Sequence, residues 1–144
     1  MPRPLPITAL SALVLGLLSP NLSAQGAVPK AHPLVGKWQW TRDANKCKEV
    51  YDFRSDGTVQ VLSGTEKTSN VYTIAAQPDA RGFYQLTLKT VKDFGGKDCA
   101  DDTRDSAGQQ NTMYVIFEPS KERHMVCAAA TPERCVGPLR RVPR

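Results

Sequence analysis

The chain has 144 residues, 19 of them basic and 14 acidic, giving a net charge of +5, and 40% are hydrophobic. A chain of this length supports one hydrophobic core rather than two. Acids and bases intersperse along most of it. The one basic cluster, Arg134, Arg140, Arg141 and Arg144, lacks the interleaved aromatic residues of a nucleic-acid platform, so no nucleic-acid partner is expected.

Arg3 precedes an apolar stretch from Ile7 to Leu18, which Pro20 breaks ahead of Leu22-Ser23-Ala24. This is the pattern of an export signal over residues 1–24, with cleavage expected after Ala24. The apolar stretch is too short to span a bilayer, and the runs Met113 to Phe117 and Met125 to Ala130 are shorter still. The expectation is therefore a periplasmic or secreted protein with no integral membrane segment. Loss of Arg3 would take the net charge from +5 to +4. The remainder divides into a tail, 25–33, and a single domain, 34–144.

From here the hydrophobic period is two, the signature of half-buried strands. Trp38 and Trp40 alternate with Lys37 and Gln39; Glu49, Tyr51 and Phe53 alternate with Val50 and Asp52; Val59 and Val61 follow. Between the last two runs, Ser55-Asp56-Gly57 is a hairpin turn in which glycine accepts a positive φ. Tyr72 and Ile74 form a fourth run, and Pro78 to Gly82 turns the chain into a fifth carrying Tyr84, Leu86 and Leu88. After a loop over about 92–110 come Thr112 to Phe117 and a final pair, 123–129 and 134–141, about Thr131-Pro132-Glu133. Eight short strands joined by turns predict a small antiparallel up-and-down barrel, with a β-sandwich as the alternative.

Four cysteines in an exported chain predict two disulfides. Cys127 and Cys135 lie symmetrically about Thr131 and would face each other across a hairpin, which leaves Cys47 for Cys99; Cys47 with Cys135 is the competing arrangement. Zinc is disfavoured because no Cys-x-x-Cys spacing occurs and neither His32 nor His124 has ligand-like neighbours. Asp93, Asp98, Asp101, Asp102 and Asp105 make the loop rich in oxygen donors, but no Asp-x-Asp-x-Asp-Gly register is present. A solvated loop pinned by Cys99 is expected, calcium being the alternative.

Gly36-Lys37-Trp38 resembles the Gly-x-Trp motif that opens the first strand of lipocalin and calycin barrels. The resemblance implies that a basic side chain at the end of the last strand, Arg140 or Arg141, packs over Trp38 and closes the barrel. The family's middle Thr-Asp-Tyr motif has no counterpart. In size and layout the chain is also similar to small bacterial envelope proteins that inhibit lysozymes or proteases.

Trp38, Trp40, Tyr51, Phe53, Tyr72, Tyr84, Leu86, Leu88 and Met125 are the predicted inner face, and their bulk implies a filled barrel with at most a shallow cup. Glu49 shares the face of Tyr51 and Phe53, so its carboxylate either enters the core or sits in water at the open end. With Trp40 and Tyr51 it is the candidate ligand-binding set. No nucleophile elbow, metalloprotease motif or phosphate loop occurs, so neither catalysis nor a cofactor is expected. The function expected is non-catalytic binding in the bacterial cell envelope by a monomer, of a small apolar ligand or lipid in the barrel. The alternative is an inhibitor or immunity-type protein that docks on an envelope protein through its loops.

Overall fold

Alternation of side chains resolves into eight antiparallel strands, each paired with the next and the last with the first, so that the sheet closes into a barrel. The structure is a computed structural model, and residues 28–143 are described; the export signal expected over 1–24 lies outside them. In chain order the strands are β1 (Gly36–Thr41), β2 (Lys48–Phe53), β3 (Thr58–Ser63), β4 (Glu66–Ile74), β5 (Tyr84–Asp93), β6 (Gln110–Phe117), β7 (Arg123–Cys127) and β8 (Cys135–Arg141). Only the short 3-10 turn Pro132–Arg134 is helical among the described residues. No helix among them is long and apolar enough to cross a membrane. Both disulfides form as the spacing predicts, Cys47 with Cys99 and Cys127 with Cys135.

One end of the barrel is a packed floor. Trp38 is fully buried and its indole N–H donates to the Leu34 carbonyl at 2.8 Å. Phe53, Val59, Tyr72, Leu86, Val115 and Leu139 surround it. Val28 and Leu34 belong to the same cluster, so the segment ahead of β1 anchors in the core at these two residues while Pro29, Lys30 and Ala31 stay exposed. Each large apolar side chain buried here contributes roughly 1.5–3 kcal/mol.

Arg141 seals the floor. Its guanidinium carbon stands 4.2 Å from the Trp38 ring centroid, and its N–H groups donate to the carbonyls of Pro33, Val35 and Lys121. Arg140, the other side chain considered for this role, is exposed beside Gln39 on the outer surface. The difference follows from the pleat, because neighbouring residues of a strand point to opposite faces.

The same rule corrects the last hairpin. His124, not Met125, enters the barrel: its ring lies 4.3 Å from Trp38, edge to face, and the residue is 2% exposed. Met125 pairs with Ile116 on the outer side, against Pro138. A register displaced by one residue moves every side chain of a strand to the other face. Neither ring nitrogen of His124 has a protein partner. Burial, and then the Arg141 charge, push its pKa down to about 3.

Two outcomes follow for the floor. Arg141→Lys keeps the charge but not the planar fork, and should lower stability by about 2 kcal/mol in urea unfolding; an unchanged midpoint would show that the floor closes without it. His124 is held neutral in the fold but charges near its ordinary pKa when unfolded. Stability should therefore fall as pH drops below about 6.5 toward 3, by up to about 1.4 kcal/mol per pH unit from this group. Burial lowers the pKa of His32 as well, so the His124 share is read by difference: His124→Phe should flatten the slope relative to the parent in unfolding series at several pH values.

Candidate functional site

Above the floor the interior opens. A cavity of about 300 Å³ occupies the upper half of the barrel. Its depth is apolar, formed by Phe53, Leu86 and Leu139, and its walls carry Trp40, Tyr51, Val61, Leu88, Met113, Val126 and Val136. The filled interior expected from the sequence therefore holds for the floor only. Tyr84 is drawn into the floor against His32 and Phe117, Met125 is outside, and valines line the upper levels where bulkier groups were expected.

Trp40, Glu49 and Tyr51 meet at this cavity because β1 and β2 pair with Trp40 opposite Glu49, and Tyr51 is two residues along the same face. The Tyr51 hydroxyl donates to Glu49 Oε2 at 2.6 Å. On the other carboxylate oxygen the Ser63 hydroxyl is a distant donor at 3.5 Å. Burial pushes the Tyr51 phenol well above its ordinary pKa, and the Glu49 charge adds to the shift. The two cations near Glu49 in the chain do not pair with it: Arg54 faces Asp52 at 3.6 Å, and Lys48 is exposed.

Two acids join Glu49 at the rim that the sequence reading did not assign to the site. Glu66, at the start of β4, and Asp98, in the loop after β5, both line the cavity. Desolvation raises the pKa of Glu66, and the charges of Asp93, Asp98 and Asp102 raise it further. Glu66 was missed because Glu66 to Asn70 is polar on both faces and reads as loop. In the fold it extends β4, since the inward Thr68 and Asn70 satisfy each other: Asn70 Nδ2 donates to Thr68 Oγ1 at 2.9 Å.

The loop 94–109 is built onto the mouth. Gly64 and Gly96, both at positive φ, let it lie against the β3–β4 turn: a Cβ on Gly64 would stand 2.7 Å from the Lys97 carbonyl oxygen, and one on Gly96 would collide with the Thr65 carbonyl. The Thr65 and Glu66 N–H groups donate to that same Lys97 carbonyl. Cys99 is bonded to Cys47, and its N–H donates to Ser63 Oγ at 3.1 Å. Arg42 donates to the Cys99 carbonyl at 2.8 Å while its guanidinium lies over Trp40.

The aspartates of the loop are engaged with its own turns. Asp98 Oδ1 accepts from the N–H groups of Ala100 and Asp102, and Asp93 accepts from those of Gly95 and Ser106. Among the described residues no three His, Cys, Asp or Glu side chains gather closely enough to hold a metal ion. Compared with protein-family models, with curated proteins and with solved structures, the chain matches none.

The Cys47–Cys99 bridge spans 52 residues of sequence, and closing a loop of that length contributes about 4 kcal/mol in the chain-entropy description. Replacing both cysteines by alanine should lower stability by that order and raise hydrogen exchange across 94–109, leaving the floor around Trp38 protected. Uniform loosening of both ends would show that mouth and floor are one cooperative unit.

Proposed function

We propose that the protein is an exported, non-catalytic, lipocalin-like carrier that takes one small, largely apolar molecule into the open half of its barrel. The observation that carries this reading is the cavity itself: apolar in its depth, about 300 Å³ in volume, and bearing polar groups only toward its mouth. That volume stands at the lower end of small-molecule sites, and a rigid cup ordered in advance loses little entropy on binding. Residence in the periplasm or outside the cell agrees with the two disulfides, which persist in oxidising compartments.

Docking on a protein through the loop 94–109 is the weaker reading. Its carboxylates Asp93 and Asp98 are turned onto the loop's own backbone, and the loop is bonded down to the mouth rather than standing away from it. Catalysis has little support at Tyr51, whose phenol is held protonated by burial and by Glu49.

A neutral apolar fluorophore such as N-phenyl-1-naphthylamine should bind saturably at one site with micromolar affinity, about −8 kcal/mol. It should also quench Trp40, which lines the cavity. Val61→Phe, which fills the cup from β3, should abolish the signal. Absence of saturable binding in the parent, or unaltered binding in the filled variant, would remove the carrier reading.

A further inference from the structure

The cavity lining has a charge pattern opposite to that of the chain. Although basic residues outnumber acidic ones by 19 to 14 overall, Glu49, Glu66 and Asp98 line the cavity and no lysine, arginine or histidine does. None of the three carboxylates has a cationic nitrogen within 4.0 Å among the described residues; of the other acids Asp43, Asp52, Asp79, Asp101, Asp102, Glu118 and Glu122 do, and Asp56, Asp93, Asp105 and Glu133 do not. A basic group at the mouth, Arg42, is committed to the Cys99 carbonyl and the Trp40 face.

Carboxylates beside an apolar cup are costly to desolvate without a counter-charge. Burial is the first cause of the raised pKa of Glu66, and neighbouring acids, with a hydrogen bond to Asp93, add to it. Beside Glu49 stand the rings of Trp40 and Tyr51; the Arg42 guanidinium already lies over Trp40 and Phe53 stacks on Tyr51, so the carboxylates are the main attraction for a ligand cation. Aromatic walls and carboxylates that lack a counter-cation at one end, with aliphatic walls at the other, match an ammonium head on an apolar body.

We infer that the ligand class of this cup is a cationic amphiphile, a primary or quaternary ammonium whose head lies at Glu49 and Glu66 and whose apolar chain points toward Leu86 and Leu139. This rests on the carrier reading and narrows it. The volume of about 300 Å³ is about ten water-sized volumes, room for a chain of roughly eight carbons. An alkanoate of the same chain would place its own negative charge against three others. An alkanol would gain the apolar burial alone.

The test compares octylammonium, 1-octanol and octanoate by tryptophan fluorescence and calorimetry, at neutral pH and low ionic strength, with both disulfides intact. Octylammonium should bind at least about tenfold more tightly than octanoate, with octanol between them, and added salt should weaken only the amine. Glu49→Gln and Glu66→Gln, singly and together, keep side-chain size, and the double variant should bring amine and alcohol to within about twofold of each other. Equal or tighter binding of octanoate or octanol by the parent overturns the inference and leaves the carrier reading standing. A preference for the amine that survives the double substitution overturns the assignment of the head to Glu49 and Glu66. If no octyl probe binds and the neutral fluorophore is also excluded, both readings fall. The three-probe comparison on the parent decides the inference even if a variant does not fold.

Discussion

The closing seam of the barrel carries one cation over an aromatic ring, the Arg141 guanidinium 4.2 Å from the Trp38 indole. The seam between β1 and β8 pairs only Trp38 with Arg141 and Gln39 with Arg140, whereas β4 and β5 pair from Thr68 to Ile74. This ladder is the shorter of the two, and the Val142 N–H donating to the Lys37 carbonyl at 2.8 Å extends it. Arg141 adds to it by binding the carbonyls of Pro33 and Val35 ahead of β1 and of Lys121 in the β6–β7 turn, which ties two separate segments to the ring beneath it. A guanidinium suits this position because it is more weakly hydrated than an ammonium, stays charged, and presents several donors in one plane.

What the amino-acid sequence disclosed follows from where its physics is local. Strand positions were legible wherever one face is apolar and the other polar, as in Trp38-Gln39-Trp40 and Glu49 to Phe53, and the spacing of Cys127 and Cys135 identified a hairpin pair. Glu66 to Asn70 escaped because its inward residues are polar and find their partners inside the barrel. In β7 both His124 and Met125 are plausible inward residues, and only the pairing with Phe117 and Leu139 selects the histidine. The candidate trio Trp40, Glu49 and Tyr51 was readable from alternation alone. Asp98 was not legible as a cavity residue, since a loop acquires its place from Cys47 and from glycine contacts that no periodicity encodes.

The two ends of the molecule are held by different forces. Dense packing, aromatic edges and one half-buried cation make the floor; a disulfide, backbone hydrogen bonds and two glycine approaches make the mouth. The floor tolerates the unpartnered nitrogens of His124 because the surrounding burial more than offsets their desolvation. At the mouth the carboxylates of Glu49, Glu66 and Asp98 keep partial access to water, so the electrostatic cost of gathering them stays modest until something covers the opening.

Gly64 and Gly96 fix the outline of the mouth through main-chain contact, whatever side chains stand around it. The outline and the lining are thus separable. Val136, half exposed at the mouth, is the wall residue freest to change, while Val61 and Val126 also pack against the core. A barrel arranged this way is suited to diversification: its selectivity can drift through a wall position such as Val136 while the frame that presents it stays the same.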